Sequence, residues 1–572
     1  MTDLIWAIKE LSMKNKKSKL NVALLIVMFT FAGPLLAKAA DHYVSPTGAA
    51  SWANCQSTTP LSGTAACSLS TANSNAAPGD TIYMRAGTYS SGISPSKSGT
   101  ATARLTYQNY GSEVVTLTAS TAISLNGKNY ITVTGINAGP CLHCVSIKNG
   151  NYNIISYGTF GPTNSPTGSS WELNVVDTNS QYNWLHHNTF HDFGTCQGTP
   201  PNGNDVASVL DIGYESIADT TKYNLIEDNA FYHGGHHVVA IQTGFNTFRN
   251  NYVHNEAWSS GAGNRTLYLN NLVSSAQADV GHNVIEGNRF GFGAKPCDAI
   301  TVGIVAMSTN YNLFRYNNLF HGNANGLGTS AYGNPNSQGS YNHIYSNTIF
   351  NTGLGNLLTP TLSGDTYTSE HTGISFFNSA NKGNVVRNNL FYKTVKAYGG
   401  STSAQNIAND WDGNTKGDPL FVNASTTPSD PNNGSLPNLN LQSTSPAIDK
   451  GGALTTVAAT DSGSGTSLVV ADSLFFQDGS YAPPGTVQSD WIAVGTVGNI
   501  VQISSINHST NTIILANSIS RQSGDPVWLY KKSDGVRVLY GSAPDAGANE
   551  YSGIRTPLPS PPTNLQVTTP GP

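Results

Sequence analysis

The feature that most constrains this 572-residue chain is a nine-residue pattern that recurs through its middle. Position one of each copy is aromatic or small, position two is Asn, and position four is apolar. Position seven is usually Asn and position nine is apolar, while positions three, five, six and eight vary. Copies begin 22 to 42 residues apart, and a weaker one, "KNYITVTGI", starts at 128. The others are "YNIISYGTF" at 152, "YNWLHHNTF" at 182, "YNLIEDNAF" at 223, "FNTFRNNYV" at 245, "HNVIEGNRF" at 282, "YNLFRYNNL" at 311, "YNHIYSNTI" at 341 and "GNVVRNNLF" at 383.

A segment of alternating apolar and polar residues follows most copies. Alternation with a period of two places one face of a strand in a core and leaves the other face outside. The segments are "CVSIKN" at 144, "ELNVVD" at 172, "SVLDIG" at 208, "HVVAIQ" at 237, "RTLYLN" at 265, "AITVGI" at 299 and "GISFFN" at 373. A repeat of this length that yields strands and no helices predicts a solenoid.

The repeat resembles that of the right-handed parallel β-helix proteins, the pectate-lyase-like superfamily of secreted, polysaccharide-active proteins. The resemblance covers residues 42 to 450 and implies an all-β fold of roughly nine to eleven coils with almost no α-helix. The segments "YVSPTG" at 43 and "APGDTIYMRAGTY" at 77 resemble the capped first coils of such proteins. Because turn Asn amides can pair with neighbouring coils, we expect the repeated Asn residues to be structural.

The N-terminal 39 residues have the features of an export signal. Lysines precede the apolar run "NVALLIVMFTFAGPLLA", and "AKA" at 37–39 supplies the small residues of a cleavage site. A retained membrane helix is the alternative, but the run is only about 17 residues long and contains Pro34. The sequence leaves the start open between Met1 and Met13. We predict a secreted protein that is not associated with a membrane once the signal is removed.

The rest of the chain divides by composition and pattern. We predict a β-helix with an N-terminal cap over 40–450, an inserted small antiparallel β-barrel over 451–540, a closing β-helix segment over 541–553 and a disordered Pro- and Thr-rich tail over 554–572. Charged residues make up 11% of the chain and the net charge is −5. This composition lacks the basic excess with which nucleic-acid-binding proteins neutralise phosphates. We expect a monomer whose partner is a polysaccharide.

The six cysteines fit an exported protein. An even number of cysteines in such a chain favours disulfides over free thiols. We predict that Cys55 pairs with Cys67 across a short loop, Cys141 with Cys144, and Cys196 with Cys297 between two long loops. A metal site at "CLHC", residues 141–144, is disfavoured because no second cysteine pair accompanies it.

Aligning the strands by their inward residues defines one polar face. The alignment stacks Ile212, Ile241, Leu269 and Ile304 in the core, which places Asp211, Ala240, Tyr268 and Gly303 in one outward row. Gln242 and Asn270 fall in the adjacent row, and His237 and Arg265 lie level with each other at the strand entrance. Long loops at 191–205, 254–264 and 291–298 enter these strands, and long loops on a rigid scaffold commonly wall a binding groove.

The residue types on this face fit β-elimination on a uronic acid. That reaction needs a base for the C5 proton, positive charge on the carboxylate and an acid for the leaving oxygen. The candidate bases are the clustered histidines of "YHGGHH", with Arg265 as the carboxylate partner and Tyr268 as the acid. The candidate catalytic residues are His233, His236, His237, Arg265, Tyr268 and Asp211. The candidate substrate-binding residues are Gln242, Asn270, Glu256 and Trp258.

Several alternatives stay open. The polygalacturonase, pectate-lyase and chondroitinase-like catalytic signatures are not found, so the resemblance implies the fold and no catalytic subgroup. A glycoside hydrolase would use Asp211 with Glu215 or Glu256 as acid and base. A third alternative is a non-catalytic, glycan-binding surface solenoid, and a fourth is zinc held by His233, His236 and His237. We expect no cofactor; calcium is an open alternative, although no residue pattern defines a site for it.

Overall fold

The computed structural model of the chain describes residues 41–163, 174–193, 208–213, 219–234, 237–254, 265–270, 281–293, 303–322, 324–329, 338–353, 372–377, 379–425 and 436–553. The predicted signal peptide at 1–39 and the predicted tail at 554–572 lie outside these residues. Within the described part of the chain, no helix is long and apolar enough to cross a membrane.

Three long parallel sheets dominate the structure. Sheet A has thirteen strands: β1 (Asp41–Val44), β2 (Thr81–Met84), β4 (Leu105–Asn109), β7 (Ile131–Thr134), β10 (Ile154–Ser156), β13 (Trp184–His186), β16 (Leu225–Glu227), β19 (Thr247–Arg249), β22 (Val284–Glu286), β25 (Leu313–Arg315), β28 (His343–Tyr345), β31 (Val385–Arg387) and β34 (Asn406–Ala408). Sheet B has twelve: β3 (Gly87–Tyr89), β5 (Val115–Leu117), β8 (Asn137–Ala138), β11 (Thr159–Phe160), β14 (Thr189–His191), β17 (Ala230–Tyr232), β20 (Tyr252–His254), β23 (Arg289–Gly293), β26 (Asn318–Gly322), β29 (Thr348–Thr352), β32 (Leu390–Tyr392) and β35 (Trp411–Asp412). Sheet C has ten: β6 (Thr121–Ser124), β9 (His143–Lys148), β12 (Val175–Asp177), β15 (Leu210–Ile212), β18 (His237–Ile241), β21 (Arg265–Leu269), β24 (Val305–Met307), β27 (Leu327–Thr329), β30 (Thr372–Phe376) and β33 (Lys396–Gly400).

The remaining elements are few and short. A six-stranded antiparallel half-barrel contains β38 (Thr455–Thr456), β39 (Gly463–Val469), β40 (Trp491–Val494), β41 (Ile500–Asn507), β42 (Thr512–Arg521) and β43 (Pro526–Lys531). A two-stranded sheet pairs β36 (Phe421–Asn423) with β37 (Asn438–Leu441). The helices are α1 (Leu69–Asn75), α2 (Gly413–Lys416) and the 3-10 turns Trp52–Cys55, Gly63–Ala65 and Thr402–Ala404.

Each coil of the solenoid supplies one strand to sheet A, then B, then C. Strands β4 to β33 form ten consecutive coils of this kind, within the predicted range. The chain therefore folds as a right-handed parallel β-helix, as the repeat predicts. Equivalent apolar residues stack along its interior, and the rings of Phe160, Phe190 and Phe231 are spaced 4.8 and 5.2 Å apart. That spacing is close to the distance between paired strands, so each coil continues the core of the last.

Two ladders of buried asparagines hold the coils in register, as predicted. One ladder precedes the sheet A strands and includes Asn183, Asn224 and Asn246. The other precedes the sheet B strands, where the backbone N–H of Asn188 donates to Asn229 Oδ1 at 2.9 Å. Each rung repeats this bond to the next coil, so turn backbone groups that lack a ladder partner are satisfied inside the protein.

The aromatic residue that opens each repeat stabilises an unfavourable backbone conformation by stacking on its neighbours. Tyr152, Tyr182 and Tyr223 adopt the left-handed backbone, with φ of 57–59°, at the corner between sheets C and A. This conformation is disfavoured for residues with a side chain. Their rings stack at 4.9 and 5.1 Å, and this contact offsets part of the backbone cost.

The half-barrel covers the outer face of sheet A. Arg315, fully buried on β25, donates to both carboxylate oxygens of Asp490 at 2.7 and 2.8 Å and also pairs with Glu286. One apolar core joins Leu313 and Tyr345 of sheet A to residues of the half-barrel. The antiparallel insert predicted near the C-terminus is confirmed, and it is docked on the solenoid.

The segments before and after the half-barrel cover part of sheet B. Phe421 and Leu441 belong to one apolar cluster with Phe350 and Leu390, which lie on β29 and β32. The backbone N–H of Gly547 donates to the Asn388 carbonyl at 2.8 Å. The described C-terminal residues therefore pack on sheets A and B, and the outer face of sheet C carries the predicted polar residues.

The cysteine predictions are met where the structure describes them. Cys55 and Cys67 form a disulfide in the N-terminal region, with their Cα atoms 5.4 Å apart. Cys141 and Cys144 also form a disulfide. Cys196 and Cys297 lie outside the described residues, so their pairing stays a prediction.

Candidate functional site

The connections from sheet B to sheet C differ greatly in length. All of them leave the solenoid at the same corner, because every coil passes from sheet B to sheet C. The connection after β17 has four residues, 233–236, whereas those after β14 and β20 have 18 and 10. The short one is also tight: a Cβ on Gly234 would lie 2.5 Å from the His237 carbonyl oxygen. The clustered histidines of the repeat at 223 therefore sit at a short corner between two long connections.

Three of the predicted residues meet on the outer face of sheet C. His237 and Arg265 are paired in register on β18 and β21, as predicted. The Arg265 guanidinium carbon lies 4.7 Å from the centre of the Tyr268 ring, and the His237 ring centre lies 4.6 Å from it. The Tyr268 hydroxyl lies 3.3 Å from Ser308 Oγ. A cation, an imidazole and a phenol thus form one contact cluster.

A carboxylate and an amide lie beside this cluster. Asp211 on β15 is 2% exposed, and its Oδ1 accepts a hydrogen bond from Gln242 Nε2 at 3.3 Å. Asn270, also buried, follows β21 at the position that Gln242 holds after β18. Farther along sheet C, Lys148 forms an ion pair with Asp177 at 3.1 Å. Burial raises the pKa of Asp177, although Lys148 opposes that effect.

The core alignment behind this face is correct for three of its four members. Ile212, Ile241 and Leu269 are in register, but the next residue is Met307 and not Ile304. Accordingly, Ala306 and not Gly303 lies beside Tyr268. Gly303 has a φ of 143°, and a Cβ there would lie 1.8 Å from Asn325 Oδ1, so the chain is still turning and the strand begins at Val305.

A second group of histidines lies at the sheet B side of the same corner. His233 follows β17, and the paired register of β14 and β17 places Asp192 beside it. His233 Nδ1 lies 2.5 Å from Asp192 Oδ1, and His191 Nδ1 lies 2.7 Å from Asp192 Oδ2. Burial tends to raise the pKa of Asp192, but the hydrogen bonds and charges of the two histidines outweigh it and hold the pKa below its usual value.

Stacked rings continue from this group along sheet B. The ring of Tyr232 lies 5.4 Å from His191 and 4.9 Å from His254. His254 stacks in turn on Tyr252 at 4.2 Å, and the Arg289 guanidinium lies 4.8 Å from the Tyr252 ring centre. Sheet B therefore carries a series of contacts between histidine, tyrosine and arginine side chains, and sheet C carries a cluster of the same three residue types.

Several predicted residues cannot be placed. His236, Glu256, Trp258 and the hydrolase candidate Glu215 lie outside the described residues. Among the residues that are described, no group of three His, Cys, Asp or Glu side chains is arranged to hold a metal ion. The zinc hypothesis depended on His236 and is therefore still a sequence-based hypothesis.

Sequence reasoning missed His191 and Asp192. They follow the repeat copy at 182 at the same distance as Tyr232 and His233 follow the copy at 223. Superposing the copies and extending them by two residues would have placed Asp192 against His233. The signal was present in the repeat itself.

Comparisons with known proteins assign no family to this chain. Neither the comparison with protein-family models nor that with curated protein sequences returns a match. Among solved structures, the pectate lyase Pel9A is 16% identical, with 74% of this chain and 94% of that chain covered and a TM-score of 0.40. A PL6 family polysaccharide lyase from Pseudopedobacter saltans is 13% identical, with 67% and 96% covered and a TM-score of 0.36. PfbA, a surface adhesin of Streptococcus pneumoniae, is 11% identical, with 44% and 81% covered and a TM-score of 0.27. None of these three likenesses assigns an activity to this chain.

Proposed function

We propose that this chain is an exported polysaccharide lyase that cleaves a uronic-acid-containing polymer by β-elimination on the outer face of sheet C. The observation that carries the proposal is the contact cluster of Arg265, Tyr268 and His237. These residues supply a cation, a phenol and an imidazole within one short stretch of two adjacent strands. The reaction needs those chemical roles, and it needs no metal when side chains fill them.

Each residue has a defined task in the proposed reaction. Arg265 pairs with the substrate carboxylate, which stabilises the negative charge that develops when C5 loses its proton. A histidine of the group His233, His236 and His237 accepts that proton. The electron pair then forms the C4–C5 double bond, the C4–O bond breaks, and Tyr268 gives a proton to the leaving oxygen. Gln242, Asn270, Glu256 and Trp258 are the proposed contacts to neighbouring sugars.

The long connections at the corner support this location. The connection after β14 has 18 residues and the one after β20 has 10, whereas the one at 233–236 has four. Long connections on a rigid scaffold commonly carry binding residues. Export fits a substrate that is too large to enter a cell.

A hydrolase is the second candidate, because two carboxylates lie on adjacent strands of sheet C. Asp211 is on β15 and Asp177 is on the adjacent strand β12, where Val175 pairs with Asp211. Glycoside hydrolases usually act through two carboxyl groups on either side of the glycosidic bond. Asp177 already forms an ion pair with Lys148, which makes it less suited to act as a catalytic acid or base. Elimination is therefore the better supported reaction.

A polymer screen tests the proposal. The purified protein is incubated with polygalacturonate, alginate and neutral glucans, and both ultraviolet absorbance of the C4–C5 double bond and new reducing ends are followed. We expect absorbance and reducing ends to rise together on a uronic-acid polymer. Reducing ends without absorbance would favour the hydrolase, and binding without either would favour a glycan-binding solenoid.

Variants then test the site. Arg265→Ala is expected to lower kcat/KM about 100-fold or more, since it removes the proposed carboxylate partner. The matched control is Arg537→Ala, because Arg537 stacks on Tyr530 and Tyr540 at 4.9 and 4.2 Å, far along the chain from sheet C. If His236→Ala, His237→Ala and Arg265→Ala all keep full activity, the proposed site is wrong.

A further inference from the structure

The bridging carboxylate of Asp192 fixes the proton positions on two histidines. An ionised carboxylate only accepts hydrogen bonds. His191 and His233 approach Asp192 through Nδ1, at 2.7 and 2.5 Å, so each must carry its proton on Nδ1. In the neutral imidazole the lone pair is then on Nε2, and a ring in this state is ready to accept a proton there.

The surroundings of Asp192 favour its ionised form. Both of its oxygens are used by the two imidazoles, and the same contacts keep its pKa below the usual value despite burial. The backbone holds the group in place as well. Asp192 and His233 both adopt left-handed φ values, of 59° and 57°, and the Phe193 N–H donates to the His233 carbonyl at 3.1 Å. A strained, hydrogen-bonded corner of this kind orients a side chain at a cost in stability.

The position of the two histidines in their coils distinguishes them. His191 is followed by the 18-residue connection, whereas His233 begins the four-residue corner that leads directly to His237. His233 also meets the edge of the Tyr232 ring at 4.8 Å, while His191 lies against its face. Asp192 and Tyr232 are two titratable groups that contact His233. His233 is therefore the member of the pair that lies on the short connection to His237.

We infer that Asp192 is a positioning residue that makes His233 the proton acceptor of the site. The inference rests on the proposed lyase function and selects among its three candidate histidines. In this reaction the C5–H bond breaks and the proton moves to His233 Nε2, while Asp192 stabilises the imidazolium through Nδ1–H. The electron pair of the C5–H bond forms the C4–C5 double bond, and the C4–O bond breaks with its electron pair going to the oxygen, which takes a proton from Tyr268. His233 afterwards releases its proton to solvent, and Tyr268 regains one.

The test combines kinetics with imidazole nitrogen NMR on the full exported chain. Asp192→Asn and His233→Gln are each expected to lower kcat about 100-fold or more with KM nearly unchanged. His191→Gln is expected to lower kcat less than His233→Gln. The matched control is Asp472→Asn, which makes the same change in a carboxylate that contacts His343 Nε2 at 2.7 Å, away from sheet C, and should keep kcat within about threefold.

The nitrogen NMR spectra distinguish a positioning role of Asp192 from a purely structural one, because they report which His233 nitrogen carries the proton. In the wild-type protein the His233 signals should show the proton on Nδ1, and in Asp192→Asn that preference should be lost while the thermal unfolding midpoint stays close to wild type. Unchanged kcat in Asp192→Asn, or a larger loss in His191→Gln than in His233→Gln, would overturn the inference and leave the lyase proposal standing. If the wild-type protein cleaves no polymer, the lyase proposal fails, and the inference fails with it even where the spectra show the Nδ1 proton.

Discussion

Replacing Asn317 by Ala tests whether the asparagine ladder holds neighbouring coils together. The Asn317 side chain is fully buried. Its Oδ1 accepts hydrogen bonds from the Asn288 backbone N–H at 2.9 Å and from Asn288 Nδ2 at 3.0 Å. Its Nδ2 donates to the Ile285 carbonyl at 2.9 Å and to Asn347 Oδ1 at 3.0 Å. The alanine variant removes all four contacts and leaves buried polar groups on both neighbouring coils.

The expected loss is large for one residue. A hydrogen bond contributes about 1 kcal/mol net, and a buried polar group left without a partner costs about 1–3 kcal/mol. The four contacts together predict a loss of about 4 kcal/mol in local stability. Because each 1.4 kcal/mol is a factor of ten, the local opening constant should rise about a thousandfold. The effect should stay within the coils that contain residues 288, 317 and 347, since a solenoid is stabilised mainly by contacts between neighbours.

Hydrogen exchange with peptide-level mass spectrometry measures that change. Peptides over 283–293 and 312–320 should exchange far faster in Asn317→Ala than in wild type, while peptides of the first coils, over 105–134, should not change. Asn507→Ala is the control, because Asn507 is an exposed residue at the end of β41 in the half-barrel. Wild-type exchange over 283–320 in Asn317→Ala would refute the view that the ladder, and not the apolar core alone, fixes the coils.

Two further predictions concern the covers of sheets A and B. Arg315→Met leaves Glu286 and Asp490 buried without their cation, so it should lower the free energy of unfolding by about 3–5 kcal/mol. Calorimetry should then show a lower temperature for the first unfolding transition, and an unchanged temperature would contradict this. Burial and the neighbouring Asp545 raise the pKa of Glu550 to about 8, so its contribution to stability is present at low pH and is lost as pH rises through about 8. Limited proteolysis of residues 541–551 should therefore accelerate in wild type as pH rises from about 4.5 to about 8, level off above that, and lose this pH dependence in Glu550→Gln.

The parts of the fold that repeat were predictable from the sequence. Asn at fixed positions of the copies predicted the ladders, because its amide can both donate and accept between coils. A second repeated signal was overlooked. The fifth position of consecutive copies alternates Glu227, Arg249, Glu286 and Arg315, and these residues pair across sheet A beneath the half-barrel.

The parts that do not repeat were harder to predict. The strand at 305–307 has only three residues, and the preceding "AITVGI" alternates equally well, so the inward position was assigned to Ile304 and not to Met307. Asp192 and His233 are 41 residues apart, and their contact depends on the register of coils whose connections differ in length. Residue type and spacing alone predicted the histidine cluster, but the three-dimensional register was needed to find the carboxylate that orients one of its members.

The most direct test of the proposed chemistry is the mass balance of one cleavage event. A uronic-acid oligosaccharide of defined length is cut by the wild-type protein, and the two fragments are weighed by mass spectrometry. Elimination predicts fragments whose masses add up to that of the substrate, one of them unsaturated, with activity lost in Arg265→Ala and kept in Arg537→Ala. Fragments that together exceed the substrate by one water would contradict elimination and show hydrolysis.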